Sequence, residues 1–285
     1  MKRLSQNPWM RALRKLKRDR RSMVSLAMIS LVALSAVFAP LISPYDPNGQ
    51  DPSSLVRSPS SQYVFGTDSL GRDLLSRVLA GSRVSMSVAL VTALSGVVLG
   101  CLYGAVSGIC GGIVDMLLMR ILDLLYTIPT LLLMIFLNVL VGRGIKGILV
   151  ALSLESLCTV ARLVRGQVMQ LLNAEYITAA RALGASSMSL WFRHLLPNLV
   201  APMIVALTFL IPSNIMYEAF LSFVGLGVQP PLSSWGTLSN EGWRGLMSHP
   251  HLILFPGAAI FVTMLAFNFL GDGVSDALNP KGVVS

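Results

Sequence analysis

Long apolar runs separated by short polar stretches organise this sequence. The first extends from about Met23 to Ile42, the second from about Val84 to Gly108 and the fourth from about Ile148 to Val164. A fifth begins near Leu199, where Pro202 and Pro212 are expected to break it, and a last covers about His251 to Leu270. Each approaches or exceeds the ~20 residues that an α-helix needs to cross ~30 Å of hydrocarbon. The third is irregular. Asp115, Arg120 and Asp123 precede Ile128-Pro129 and an uninterrupted run over 130–141, so these charges are either buried among helices or carried by an interfacial helix. The pattern predicts an all-α polytopic membrane protein with about six transmembrane helices.

Composition agrees. Of 285 residues 54% are hydrophobic and only 12% charged, with a mean hydropathy of +0.69, whereas soluble domains carry about 25% charged residues. So few charges cannot solvate a soluble domain of this size. The net charge of +9 raises nucleic-acid binding, but the basic residues gather in a tail abutting the first apolar run, with no aromatic-lined groove behind them. Nucleic acid is therefore not an expected partner. The bilayer is.

Residues 1–22 hold nine basic side chains against the single acid Asp19, with Trp9, Leu13 and Leu16 at helical spacing. This predicts an amphipathic helix on an anionic leaflet. The run 23–43 that follows is read as an uncleaved first span, because Pro40-Leu41-Ile42-Ser43-Pro44 is no small-residue cleavage site. Residues 44–83, rich in Pro, Ser, Asp and Gly, form an extramembrane segment on the far side. The main membrane domain covers 84–274 with a polar interruption at 168–197, and 275–285 form a tail. Placing the N-terminus inside puts most of the 22 Lys and Arg residues inside as well. An even number of spans then returns the C-terminus to the same side.

Chemistry-bearing residues are sparse. Cys101, Cys110 and Cys158 lie in or beside apolar segments without metal-ligand spacing, and His249-Pro250-His251 is the one histidine pair. No metal site and no catalytic residue is predicted. A phosphate loop of the form G-x-x-x-x-G-K-[ST] is missing from the sequence, so ATP cannot be bound by this chain in that manner. Asp68, Arg72, Asp73 and Arg77 recur at four- and five-residue spacing, so one helical surface can pair opposite charges. They are candidates for an extracytoplasmic gate or a structural brace. Gly225-Leu-Gly-Val-Gln-Pro-Pro cannot be helical throughout, and must line a cavity or be covered by protein. Trp235 and Trp243 suit an interfacial belt. Glu155 and Glu218, acids inside or near spans, are candidate pathway residues.

The stretch from Glu175 to Pro197 is the most informative. Val168 to Leu183 is a good helix former, Gly184 sits where a left-handed cap belongs, and Ser186 and Ser187 can cap a second helix, Met188–Leu195, that Pro197 ends. Ala179 and Ala180 leave its exposed turn small. A link between two spans needs only a few residues, so a compact helical hairpin here is read as a docking element for a soluble partner.

These residues resemble the EAA loop of the permease subunits of bacterial ATP-binding-cassette importers: two alanines, a glycine four positions after the second, and Leu196-Pro197 at the end. Thr178 stands where that family has Glu and His194 where it has Ile, while Glu175 offers an acid one turn earlier. Three further stretches are similar to the dipeptide, oligopeptide and nickel branch: Phe65-Gly-Thr-Asp-Ser-Leu-Gly-Arg-Asp-Leu-Leu-Ser-Arg77, the run Glu218 to Gly236, and Asn268 to Pro280, where Ser275 and Asn279 replace the usual Arg and Asp. The resemblance implies the fold of a type I importer permease in a bacterial inner membrane, both termini cytoplasmic. It also implies the partners: a paralogous permease subunit, two cytoplasmic ATP-binding subunits that hold ATP and Mg, and an extracytoplasmic binding protein. Glu175, Thr178, Ala179, Ala180, Gly184, Leu196 and Pro197 would couple the ATPases to the spans. The cargo implied is a peptide, with nickel or glutathione as alternatives. Two readings compete: an intramembrane enzyme pairing Asp115 or Asp123 with Glu155, and a secondary transporter using the same acids as proton sites.

Overall fold

The structure, a computed structural model, describes residues 8–278. The parts of the predicted tails at 1–7 and 279–285 lie outside the described residues. Among those described the regular structure is helical, apart from one bridge between Thr67 and Asp73, with irregular stretches chiefly over 43–73 and 224–234.

Helix α1 (Pro8–Arg18) carries the expected basic amphipathic pattern and rests on the last helix, where Lys15 Nζ donates to the Asp276 carbonyl at 2.6 Å. Asp19 caps the next helix, α2 (Arg20–Ile42), by accepting from the amides of Arg21 and Ser22. The Ser22 hydroxyl and amide hold the Asp19 carboxyl below its usual range.

Helix α3 (Leu74–Cys110) starts well ahead of the predicted Val84. The Asp73 carboxylate supplies the N-cap by accepting from the Ser76 amide at 2.8 Å, and Arg77 is neutralised by acids outside the helix, so charge does not end it. Its main partner is α6 (Ile145–Leu172), also longer than predicted. The contact is a ladder of glycines. A Cβ on Gly96 would lie 2.2 Å from Ser156 Cβ, on Gly100 2.7 Å from Val160 Cβ, on Gly104 2.3 Å from the Ala161 carbonyl oxygen, and on Gly108 2.8 Å from Val168 Cγ1. Small residues at four-residue spacing let two backbones approach in a bilayer, where dispersion and not the hydrophobic effect drives association. Asn214 reinforces the junction from a later helix, donating to Thr92 Oγ1 of α3 at 2.8 Å and to Ser156 Oγ of α6 at 3.1 Å.

The irregular third span is two helices, α4 (Gly112–Tyr126) and α5 (Thr130–Val141), bent by 93°. Pro129 causes the break, because its ring disfavours helical geometry at the residue before it. The acids of α4 turn toward α6: Arg165 Nη2 donates to Asp115 Oδ2 at 2.6 Å and Arg162 Nη2 to Asp123 Oδ1 at 2.7 Å. Arg120 is exposed. Five helices are long and apolar enough to span, or six with the bent pair as one span.

After α6 the predicted single helix over Val168–Leu183 is broken at Asn173-Ala174, and α7 (Glu175–Ala182) begins anew. Two proline predictions are also corrected. Pro197 does not end a helix: α8 (Ser187–Leu190) passes through a π turn, Trp191–Leu195, directly into α9 (Leu196–Phe223). The Leu196 amide reaches the Trp191 carbonyl, and this wider turn accommodates the proline ring at the start of α9. Pro202 and Pro212 do not break α9 either. Around Pro212 the residues Leu210, Ile211, Asn214 and Ile215 are all buried, and tertiary packing carries the helix through. The non-helical stretch after Phe223 leads to α10 (Trp235–Trp243), opened by a Ser234/Thr237 capping box, and then to α11 (His251–Leu278).

Candidate functional site

Three regions collect the predicted residues. The first is the α7–α8 hairpin. Gly184 joins the two helices at φ +85°, a conformation that L side chains rarely adopt. The Ala185 amide reaches back to the Ala180 carbonyl at 3.1 Å, and the Ser189 amide donates to Ser186 Oγ at 3.3 Å, so the predicted serine cap forms. Ile177 is fully buried and pins the hairpin to the bundle. Glu175, Thr178 and Ala179 are exposed and Ala180 is half-buried. Around them Leu183, Met188 and Phe192 expose 89%, 68% and 58% of their surface, an apolar crest projecting from the end of α9. Exposed apolar groups grouped in this way mark a contact surface.

The second region is a cavity of about 680 Å³ between α6, α9 and α11. Glu155, Thr159, Phe209, Ser213 and Tyr217 are among its lining residues at mid-helix, and Gln167, Ala201 and Leu278 lie toward the hairpin end. Glu155 Oε1 accepts from Thr159 Oγ1 at 3.2 Å, while Oε2 is buried without a hydrogen-bond partner among the described residues. The structure does not bring Glu218 to this cavity. That carboxylate is 0% exposed, accepting from Ser222 Oγ at 2.7 Å and Ser85 Oγ at 2.8 Å. Ser85 Oγ also accepts the Trp235 amide at 3.2 Å, so Glu218 ties α9 to α3 and to the start of α10.

The third region is a charged knot at the opposite end from the hairpin. The four predicted residues do not share a helical surface, because Asp68 and Arg72 occupy a turn before α3. Its tightness depends on glycine: a Cβ on Gly71, at φ +74°, would lie 1.9 Å from the Asp51 carbonyl oxygen. Asp68 Oδ2 accepts from Arg72 Nε and from Arg77 Nη1, both at 2.6 Å, and Oδ1 accepts from the amides of Leu70 and Arg72 at 2.8 and 3.0 Å. Asp73 does not join; it caps α3. The second acid of the knot is Glu241 of α10, a residue the sequence reading missed, whose Oε1 accepts from Arg77 Nη2 at 3.1 Å and whose Oε2 contacts Arg77 Nη1. The one signal for it was the surplus of arginine in the facing segment. Trp235, predicted for the interface, is instead buried, its Nε1 donating to the Val78 carbonyl at 3.1 Å; Trp243 is exposed. Among the described residues no group of three or more His, Cys, Asp or Glu side chains could hold a metal ion.

Comparison with known proteins is consistent along the chain. Residues 96–282 match the model of the binding-protein-dependent transport system inner membrane component, and residues 7–59 match the N-terminal transmembrane domain of oligopeptide transport permease C. The chain is 39% identical to the oligopeptide transport system permease protein OppC of Bacillus subtilis over 96% of this chain and 90% of that one. It is 41% identical to the dipeptide transport system permease protein DppC of the same organism, over 95% and 85%. It is also 41% identical to the glutathione transport system permease protein GsiD of Escherichia coli O157:H7, over 96% and 91%. In fold it is similar to a chain of the MetNI methionine ABC transporter in an inward-facing conformation, with TM-score 0.60 and 19% identity over 72% of this chain and 98% of that one.

Proposed function

This chain belongs to the family of binding-protein-dependent transport system inner membrane components and is a permease subunit of an ATP-binding-cassette importer, and we propose that it forms half of a pathway for short peptides. Supporting that cargo, two of the relatives above are named for oligopeptides and dipeptides, and the third for glutathione, itself a short peptide. The proposed assembly pairs this chain with a paralogous permease, two cytoplasmic ATPases that bind ATP and Mg, and an extracytoplasmic binding protein, in a bacterial inner membrane. The bias of basic residues supports cytoplasmic termini. The ATPase activity is assigned to the separate subunits.

The observation that carries the coupling role is the apolar crest on the α7–α8 hairpin, joined to α9 without a break. Closure of the ATPases would push on Ala179, Ala180, Leu183 and Met188, with Glu175 and Thr178 at the rim. The π turn with Leu196 and Pro197 would pass the displacement into α9, whose 28 residues span about 42 Å at 1.5 Å per residue. Near its far end α9 carries Glu218 and packs on α10, whose Glu241 belongs to the Asp68–Arg72–Arg77–Glu241 knot, which would fix the outer gate. The cavity that Glu155 lines, lying between that gate and the hairpin, would then hold cargo on its way inward.

Reconstitution of the complex in proteoliposomes with its binding protein tests this. Uptake of labelled peptide is expected only with ATP and both ATPase subunits. Uptake that persists without the ATPases and follows a proton gradient would establish the secondary-transporter reading instead.

A further inference from the structure

Glu155 carries a hydrogen-bond acceptor that no partner among the described residues satisfies. Its Oε1 is engaged by Thr159, but Oε2 is buried without a partner. A desolvated carboxylate oxygen in a span is costly unless it meets a cation or a donor. The nearest cation of the same helix is Arg162, and it is committed elsewhere: it bonds Asp123 at 2.7 Å and lies over the Tyr126 ring at 3.9 Å. Hard divalent cations need several oxygen ligands, and among the described residues no group of three or more His, Cys, Asp or Glu side chains could hold one.

Glu155 is one of the residues that line the cavity between α6, α9 and α11. From Glu155 to Gln167 this wall descends about 18 Å along α6 at 1.5 Å per residue, toward the hairpin end. Leu163, Val205, Phe209 and Leu210 make most of it apolar, with Ser213 and Tyr217 near the acid. A mainly apolar wall with one charged group fixes the orientation of a guest through that group.

We propose that Glu155 receives the α-ammonium group of the peptide cargo, which makes a free amino terminus a specificity requirement of the permease itself. This inference rests on the peptide-importer reading above. It holds for peptides and for glutathione alike, because both carry that ammonium. An ammonium offers three donors to the Glu155 carboxylate and its neighbours, and such charge-assisted bonds are about twice as strong as neutral ones. The apolar wall below would take side chains of varied shape without strong selection.

The test uses the complete nucleotide-free complex in nanodiscs without the binding protein, so that the cavity alone is probed. Binding of radiolabelled tri-alanine and of N-acetyl-tri-alanine is measured for the wild type, Glu155→Gln and Glu155→Asp. The wild type is expected to favour the free amine by about tenfold, a difference of about 1.4 kcal/mol. Glu155→Gln should bind the two equally and Glu155→Asp should retain the preference. Equal binding by the wild type, a preference that survives in Glu155→Gln, or no saturable binding of either probe would overturn the proposal. Dissociation of the two permease subunits in Glu155→Gln would overturn it as well, by revealing an ion pair to the paralogue. ATP-driven uptake by the wild-type complex, reconstituted in proteoliposomes with its binding protein, is recorded in parallel. If it is present while the amine preference is missing, only this inference fails; if it is missing, the importer reading itself fails.

Discussion

Asp68→Asn removes one charge from the knot without changing its shape, and its cost can be worked from the geometry. Asp68 uses both oxygens fully: Oδ2 faces two guanidinium groups at 2.6 Å and Oδ1 faces two backbone amides. An asparagine carries one oxygen and one NH₂, so whichever way it turns, donors meet donors on one side. The Asp68 and Arg77 side chains keep only 6% and 3% of their exposure, so water cannot repair the mismatch. Breaking a buried pair costs about 3–5 kcal/mol, and Glu241, 38% exposed and still in reach of Arg77, offsets part of it. A net loss of about 2–4 kcal/mol follows, since exposed partners contribute at most ~1 kcal/mol. At roughly 2–4 °C per kcal/mol, the full complex in nanodiscs should unfold about 4–16 °C earlier in a thermal scan. Arg77→Met should be similarly damaging, and the double variant less so than the sum, with a coupling of about 1–3 kcal/mol. A scan of Asp68→Asn within a degree of the wild type, or strictly additive losses, would refute the reasoning.

Three other substitutions probe the remaining regions. Gly104→Val places a side chain against the Ala161 carbonyl, where even a Cβ would sit at 2.3 Å; overpacking of this kind costs about 1–3 kcal/mol or more, and earlier thermal unfolding with increased protease sensitivity of α3 is expected. Gly184→Val should abolish uptake while leaving membrane insertion intact, since there is room for the side chain but not for its φ of +85°; Gly184→Asn, which tolerates that region better, should retain part of the activity. Ala180→Arg should prevent co-purification of the ATPase subunits, and normal co-purification would remove Ala180 from the interface.

Much of this architecture is legible in the sequence because a bilayer constrains it so strongly. Apolar runs of sufficient length must be helices, and Gly184 followed by two serines could only be a turn between two of them. What escaped was tertiary in origin. Pro202 and Pro212 read as breaks, yet burial around Ile211 and Asn214 keeps α9 intact. The start of α3 was misplaced because Arg77 reads as a polar residue until its acids are known, and Glu241 lies 164 positions away. Trp235 looked interfacial because an indole suits a membrane edge, but a carbonyl of α3 accepts its N–H inside the fold. Within the candidate site, the hairpin was visible from local signals alone. The isolation of Glu155 Oε2 was not, since it depends on where Arg162 turns.

The glycine ladder between α3 and α6 has a practical corollary for anyone following this transporter in motion. With Gly96, Gly100, Gly104 and Gly108 seated against backbone and Cβ atoms of α6, sliding one helix past the other would mean clearing four interlocked steps at once. A pair of spectroscopic labels placed on these two helices should therefore report a constant separation throughout the cycle. Such a pair supplies an internal ruler, against which displacements of the hairpin, the bent α4–α5 elbow or α10 can be measured in the same molecule.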